Sequence, residues 1–282
     1  MEDLIEITAS ETTAERQKRY FLHISYAGTN YHGWQRQNNG HTVQEEVEAA
    51  LRKLLKQEKI YSIGCGRTDS GVHARVFYLH FNAERPIENI DEIFFKLNMM
   101  LPFDIGVYRL WEVHEKAHAR FDATERSYEY HIHQKRNPFI HQFSTFFPWP
   151  LDVKAMNDAA ALLLNYKDFA AFAKSQGGQK TTICDLRAAH WVQYENRIVF
   201  YITANRFLRN MVRAIVGTLL EVGRGKMTNE EFIQVVEGGK RANAGDSAKA
   251  QGLTLTDIKY PYIDPDVTFG SATSMSFKKG DE

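Results

Sequence analysis

The chain has 282 residues, of which 43% are hydrophobic, 12% aromatic and 25% charged, a composition typical of a globular protein with a sizeable core. Because 35 Lys and Arg balance 35 Asp and Glu, the net charge indicates no polyanionic partner, and any nucleic-acid surface has to be a local basic face. No apolar run approaches the roughly 20 residues of a membrane span, and the N-terminal stretch lacks the order of a signal peptide, so we expect a cytoplasmic protein without a membrane partner.

The two cysteines and the histidines indicate neither a disulfide framework nor a metal site. Cys65 and Cys184 lie far apart and have no second pair beside them. His131 and His133 face the same way on a predicted strand, but no further ligands follow at metal-binding spacing. The sequence therefore predicts no metal.

The elements of residues 20–119 are predicted in the order βαββαβ. A strand in "YFLHISY" comes first, and Thr42 and Glu45 have the capping-box spacing that begins a helix in "VQEEVEAALRKLLKQ". Strands in "KIYSI" and "VFYLHF" follow, then a helix in "NIDEIFFKLNMML" before Pro102, then a strand in "IGVYRLWEV". We expect a first half over 20–119, preceded by a flexible tail at 1–19.

The elements of residues 120–263 are predicted in the same order. A strand in "RSYEYHIH" is followed by a helix with Asp152 as its N-cap, and strands in "LRAAHWVQYE" and "RIVFYITA" flank Asn196. A long helix is expected from about Phe207 to Val222, then an extra helix in "TNEEFIQVVEG" and a strand in "LTDIKY", with a tail at 264–282. Both halves have the order of a ferredoxin-like split βαβ unit, so the fold class is α+β with a cleft between two halves.

A glycine-rich loop, "GCGRTDSGVHAR" at 64–75, lies between two predicted strands and contains one carboxylate, Asp69. One interpretation is ordinary turn chemistry, since an Asp-Ser-Gly sequence suits a turn. The other is a chemical site, because glycines allow close approach and loops held by rigid strands often carry catalytic groups. The loop by itself leaves both interpretations open.

Three arginines mark the predicted helix "RFLRNMVRAIVGTLLEV". Arg206, Arg209 and Arg213 recur at three- and four-residue spacing, so they would share one side of that helix. Such a side is either a solvated face or a site for phosphates or for a buried carboxylate. The absence of an acidic residue before Glu221 favours the second interpretation.

These segments resemble one family. "GRTDSGVHA" closely resembles the signature loop of the TruA-type tRNA pseudouridine synthases, the tRNA pseudouridine synthase A family. The blocks "YAGTNYHGWQRQ", "TVQEEVEAAL", "LNMMLPFDIGV", "HARFDATERSYEY", "NRFLRNMVRAIVGTLLEVG" and "AKAQGLTL" are similar to the family's blocks in the same order. The resemblance covers about residues 20–260. It implies the pseudouridine synthase fold, two ferredoxin-like halves with a joined, mostly antiparallel sheet and a central cleft.

The resemblance also implies roles for individual residues. It gives Asp69 as the catalytic aspartate and Arg213, in the "MVR" block, as its partner. Tyr128 matches the active-site tyrosine that would stack on the target base and take part in proton transfer, although the strand pattern alone would place it in the core. His73 is a conceivable general base, but its implied role is structural.

Four further side chains are expected to bind the substrate. Arg67 resembles the arginine that helps to hold the target nucleotide out of the RNA helix, and Leu253, in "QGLTL", would pack against the flipped base. Arg206 and Arg209 would contact the RNA from the "NRFLRNMVR" block. Three departures from the family pattern, at Ser70, Ala27 and Lys167, would alter RNA contacts and leave the chemistry intact.

The implied activity is isomerisation of uridine to pseudouridine at positions 38–40 in the anticodon stem-loop of tRNA, by a homodimer without a cofactor. Asp69 could attack C1′ or C6, or could stabilise a charged sugar on the way to a glycal, and the residues do not choose between these routes. The alternative is a catalytically silent protein that binds structured RNA. A metal-dependent phosphodiesterase is disfavoured, because no carboxylates cluster near Asp69 in the sequence.

Overall fold

The computed structural model describes residues 17–38, 40–174 and 180–263. The tail expected at 264–282 and residues 1–16 of the tail expected at 1–19 lie outside the described residues. The strands are β1 (Lys18–Tyr26), β2 (Ser62–Gly64), β3 (His73–Ala83), β4 (Ile105–Val113), β5 (Glu125–His133), β6 (Thr145–Phe146), β7 (Leu186–Gln193), β8 (Ile198–Ala204) and β9 (Leu253–Lys259). The helices are α1 (Val43–Leu55), α2 (Ile90–Met100), α3 (Val153–Leu162), α4 (Met211–Gly223) and α5 (Asn229–Gly238).

Two helices begin at the caps that the sequence predicts. At α1, the Thr42 side chain accepts from the Glu45 backbone N–H while the Glu45 carboxylate accepts from the Thr42 N–H, which is a complete capping box. At α3, the Asp152 carboxylate accepts from the Ala155 N–H at 2.9 Å. These side chains satisfy backbone donors that the first turn of a helix leaves without partners.

All nine strands belong to one sheet with the order β4-β1-β3-β9-β5-β8-β7, in which β2 also pairs with β3 and β6 with β5. The first half, β1 to β4, has the order β4-β1-β3-β2, and the second half repeats it as β9-β5-β8-β7. The predicted α+β fold, with two ferredoxin-like units and a joined, mostly antiparallel sheet, is confirmed. Among the described strands, the parallel pairs are β3 with β9 and β5 with β6.

The seam between the halves is the short parallel pairing of β3 with β9. His73 pairs with Thr254 and Ala74 with Leu255. Because β3 begins at His73, the loop that contains Asp69 ends at this seam. The chain therefore brings that loop next to the second half, where α4 packs on β5 and β8 in a core that includes Tyr130, Phe200 and Ile215.

One predicted helix begins later than expected. The apolar periodicity predicts a helix from about Phe207, but α4 begins at Met211 because Asn210 adopts a left-handed conformation at φ 66°. Asn is one of the few residues that tolerate this conformation, and its side-chain amide donates to Ser247 Oγ at 2.6 Å. Arg206 and Arg209 therefore lie in the turn before α4 and do not share a helix side with Arg213.

Candidate active site

The loop at 65–72 is held by the last residue of β1 and by the segment that follows it. Thr68 Oγ1 accepts from the Trp34 backbone N–H at 3.2 Å and is hydrogen-bonded to the Tyr26 hydroxyl at 2.9 Å. The Gly71 N–H donates to the Tyr31 carbonyl at 3.2 Å. These contacts from both sides of Asp69 leave its loop little freedom.

Gly33 allows this close approach. It has φ +85°, and a Cβ atom at this position would lie 2.3 Å from the Thr68 carbonyl oxygen and 3.1 Å from the Asp69 carbonyl carbon. Only glycine both adopts this conformation without strain and leaves room for the neighbouring backbone. The glycines of "YAGTNYHGW" thus serve to place the Asp69 loop.

His73 connects this loop to the second half. Its Nδ1 accepts from the Gly28 N–H at 3.0 Å, and its Nε2 lies 3.2 Å from the Gln251 carbonyl, to which it donates in the neutral tautomer. Burial lowers the pKa of His73, which favours that neutral form. Both ring nitrogens are therefore engaged in backbone contacts.

Asp69 and Arg213 meet across the cleft. Arg213 Nη1 donates to Asp69 Oδ2 at 3.3 Å, and Arg213 Nε donates to the Ala248 carbonyl at 2.7 Å. The Arg213 backbone carbonyl also accepts from the Ala248 N–H at 2.9 Å, so the residue that orients the guanidinium is itself bound to α4. The pair predicted from the sequence is thus in contact, with the carboxylate on the first half and the guanidinium on α4.

Tyr128 lies on the same cleft, half-buried on β5. Its ring meets Phe207 edge-on, with centroids 5.2 Å apart, and it packs against the cores of both halves. Burial, and secondarily the charge of Asp69, raise the pKa of its phenol, so the hydroxyl is protonated at neutral pH. The ring can stack and the hydroxyl can donate a proton.

The cleft has a volume of about 1030 Å³ and is strongly cationic. Among the described residues that line it, eight are cationic and one, Asp69, is a carboxylate; the cations are Arg67, Arg120, Arg126, Lys180, Arg187, Arg206, Arg209 and Arg213. Arg187 is paired with Glu125 at 2.6 Å and with Asp185 at 3.2 Å. Burial and the nearby charges of Arg67, Arg126 and Arg206 lower the pKa of Arg120. In a chain with no net charge, this concentration is a local basic face.

Arg126 is a residue that the sequence did not single out. Its Nη1 donates to the Ala123 and Asn205 carbonyls, both at 2.7 Å. Its Nη2 donates to the Cys65 carbonyl at 3.1 Å and to the Arg120 carbonyl at 2.7 Å. A guanidinium has five N–H donors in a fixed plane, so one side chain can join three loops. No local pattern signals this, because all four acceptors are carbonyls of irregular backbone and two of them, Cys65 and Asn205, are more than 60 residues away in the chain.

The apolar floor of the cleft comes from β9. Leu253 and Leu255 both line it, and both are buried. Leu255, which the sequence did not single out, pairs directly opposite Tyr128 in the register of β9 and β5, whereas Leu253 pairs opposite Tyr130. The sequence pattern that could have identified Leu255 is a leucine at alternate positions of one strand, because both side chains then face the same side of the sheet.

Metal and thiol chemistry find little support in the described part of the chain. No three His, Cys, Asp or Glu side chains within it are close enough together to hold a metal ion. Cys65 lines the cleft but is 1% exposed, and burial raises the pKa of its thiol to about 12, so the thiolate nucleophile is not available at neutral pH. Within the same ranges, every helix is too short or too polar to cross a bilayer.

Comparisons with known proteins identify the family. The family model described as tRNA pseudouridine synthase matches residues 22–122 and 159–261. The chain is 47% identical over 244 residues to the tRNA pseudouridine synthase A of Parabacteroides distasonis. These residues make up 86% of this chain and 96% of that protein. It is 46% identical over 245 residues to that of Bacteroides fragilis (86% and 97%) and 39% identical over 241 residues to that of Acetivibrio thermocellus (85% and 98%). The chain belongs to the tRNA pseudouridine synthase family, an isomerase family, as the resemblance predicted.

Proposed function

We propose that this chain isomerises uridine to pseudouridine in the anticodon stem-loop of tRNA, at positions 38–40, with Asp69 as its one catalytic carboxylate. The observation that carries the proposal is the setting of Asp69. It is the one carboxylate among the described lining of a cleft that also presents eight cationic side chains. Polyanion binding and a single acidic group are what this reaction on RNA requires.

The chemistry needs no net oxidation and no group from outside. The bond from ribose C1′ to uracil N1 breaks, the base turns, C1′ bonds to C5, the C5 proton leaves and N1 gains a proton. One ionised carboxylate suffices, whether it attacks C1′ or C6 or stabilises a charged sugar on the way to a glycal. Arg213 supports this role because its hydrogen bond to Oδ2 orients the Asp69 carboxylate.

The side chains around Asp69 fit a uracil base taken out of its stack. Tyr128 offers a ring face and a protonated hydroxyl, and Leu253 and Leu255 offer an apolar floor. Arg67 lies two residues before Asp69, at a position from which a guanidinium can hold the displaced nucleotide. An enzyme that rebuilds a base has to extract it first, and such a pocket offsets part of the cost of unstacking.

The remaining cations suit the RNA backbone. Arg206 and Arg209, in the turn before α4, form no ion pair with a described carboxylate and lie on the same cleft. They support recognition of tRNA by shape and by phosphate contacts, which tolerates several neighbouring uridines. The homodimer stays a prediction from the family resemblance, and the cytoplasmic location stays a prediction from the sequence composition; sedimentation of the purified protein at micromolar concentration measures the first.

The experiment that tests the proposed substrate uses three tRNA transcripts, each with a single uridine at position 38, 39 or 40. After incubation with the protein, pseudouridine is mapped by carbodiimide modification and primer extension. A fourth transcript without uridine at these positions is the control. Modification of the first three alone supports the proposal. Modification only outside the anticodon stem-loop, or none in any tRNA, would show that the assigned substrate is wrong.

A further inference from the structure

Phe121 is an exposed aromatic side chain inside the cationic cleft. It lines the cleft beside Arg120, yet it is 76% exposed. Single exposed apolar residues are common on protein surfaces and need no function by themselves. Phe121 differs in that the chain holds both its backbone and its ring in place.

The backbone of Phe121 is fixed by a closed set of hydrogen bonds. His118 Nδ1 accepts from the Arg120 N–H at 3.1 Å and from the Phe121 N–H at 3.2 Å. Asp122 Oδ2 accepts from the His118 N–H and from the Tyr262 hydroxyl, both at 2.7 Å. The tight loop of "HARFD" therefore presents Phe121 from a rigid base.

The ring of Phe121 ends a column of rings that begins in the core. Phe121 stacks on His118 with centroids 4.2 Å apart and planes at 28°. His118 meets His80 at 4.6 Å, and His80 stacks on the fully buried Phe21 at 6.0 Å. Burial lowers the pKa of both imidazoles, that of His80 to about 4, so the column is uncharged at neutral pH. The Arg120 guanidinium carbon also lies over this ring, 6.0 Å from its centroid, and the ring still leaves most of its surface exposed in the cleft.

We propose that Phe121 is a stacking platform for the nucleobase next to the target uridine. This inference rests on the proposed function and adds to it a contact with the base beside the reacting nucleotide. When the target base leaves its stack, the adjacent base loses a partner, and a rigid aromatic ring replaces it. Arg67 and Arg120 lie on the same cleft and are suited to the phosphates on either side of that base.

The test measures dissociation constants for an anticodon stem-loop RNA at fixed salt. Phe121→Ala is expected to weaken binding roughly 5- to 150-fold, the usual range for the loss of one base–aromatic stack. Phe121→Leu keeps apolar volume without a ring face and should behave like Phe121→Ala, whereas Phe121→Tyr should bind like the wild type. Phe103 is a fully exposed phenylalanine outside the cleft, so Phe103→Ala is the matched control and should leave binding unchanged.

A series of RNAs with one abasic nucleotide each locates the contact. The difference between wild type and Phe121→Ala should disappear for the RNA that lacks the base next to the target uridine and persist for the others. Two results would show that the stacking role is wrong, provided that the wild type binds and isomerises the stem-loop. One is equal binding of the stem-loop by Phe121→Ala and wild type. The other is a loss of affinity in Phe121→Ala that is the same for every abasic RNA. If the wild type neither binds nor isomerises the stem-loop, the proposed function itself fails.

Discussion

Arg213 and Asp69 form an ion pair at 3.3 Å that joins α4 of the second half to the loop before β3 of the first. The same guanidinium donates to the Ala248 carbonyl, so its direction does not depend on the carboxylate alone. Both side chains are part-buried, which protects the pair from solvent screening more than a surface ion pair would be. The alignment of the proposed catalytic carboxylate thus depends on the packing of the two halves against each other.

Replacing Arg213 with Gln should lower kcat more than it changes RNA binding. A hydrogen bond to a charged group contributes about 1.5–3 kcal/mol, so we expect a loss of roughly 10- to 150-fold in kcat. Single-turnover rates with saturating tRNA measure this effect. Arg209→Gln is the control, because Arg209 lines the same cleft without contacting Asp69 and should weaken binding at nearly normal kcat. Equal effects of the two variants on kcat would contradict the role given to Arg213.

Gly33→Ala should disturb the Asp69 loop. The added Cβ would lie 2.3 Å from the Thr68 carbonyl oxygen, so the backbone beside Asp69 has to move. Because a displacement of about 1 Å can cost 100-fold in rate, we expect a loss of that order in kcat. Gly225→Ala is the matched control: Gly225 also has positive φ, at +68°, but a Cβ there meets nothing within 4 Å. Gly225→Ala should lower the free energy of unfolding by about 1 kcal/mol and leave kcat unchanged. A normal kcat for Gly33→Ala would refute this account of the loop.

Arg126→Met should destabilise the protein and slow the reaction together. Four backbone carbonyls lose their donor, and three of these hydrogen bonds are part-buried. Unsatisfied buried acceptors cost about 1–3 kcal/mol each before water compensates, so we expect about 3 kcal/mol overall. Denaturant unfolding measures this difference. Arg109→Met, which removes an exposed guanidinium stacked on Trp111, should cost less than about 1 kcal/mol. If the two variants are equally stable, Arg126 does not hold the three loops.

Acid should destabilise the fold through His80. Burial, and secondarily Arg19 and His118, lower the pKa of His80 to about 4, and its Nδ1 accepts from the Ala119 N–H at 3.1 Å. Between pH 6.5 and 4 the unfolded imidazole binds a proton that the folded one does not, so the free energy of unfolding falls as the pH falls through this window. We expect His80 to contribute about 2 kcal/mol of the loss between pH 7 and pH 5.

His80→Gln removes this titration, so denaturant unfolding at pH 7, 6 and 5 should show a shallower pH dependence for the variant. Some dependence should persist, because burial and Arg109 also lower the pKa of His23 to about 4. Identical slopes for wild type and variant would show that folding does not lower the pKa of His80.

Local signals predicted most of the fold. The capping box of α1, the Asp152 cap of α3 and the strand patterns of β1 and β5 depend on neighbouring residues, and the duplicated element order follows from such signals. The start of α4 could not be predicted in this way, because Phe207 and Leu208 continue the apolar spacing while Asn210 ends it through its contact with Ser247. The strand β6 has two residues, too few for a pattern.

Residues of the candidate site were predicted where they lie in a sequence block that resembles the family. Asp69, Tyr128 and Arg213 belong to distinctive sequence blocks and line one cleft. Arg126 and Leu255 were missed, because their importance depends on partners that come together only through the sheet register and the loop packing. Phe121 was missed for a related reason: its ring column includes residues a hundred positions apart in the chain.

The most direct test of the central claim, that Asp69 is the catalytic carboxylate of a tRNA isomerase, is tritium release from C5 of labelled uridine in an anticodon stem-loop tRNA. Wild type and Asp69→Asn are compared at identical salt, and filter binding confirms that both bind the RNA. We predict release by the wild type and none by Asp69→Asn at similar affinity, since the amide can neither attack the nucleotide nor stabilise a cation. Release by Asp69→Asn at the wild-type rate would contradict the account.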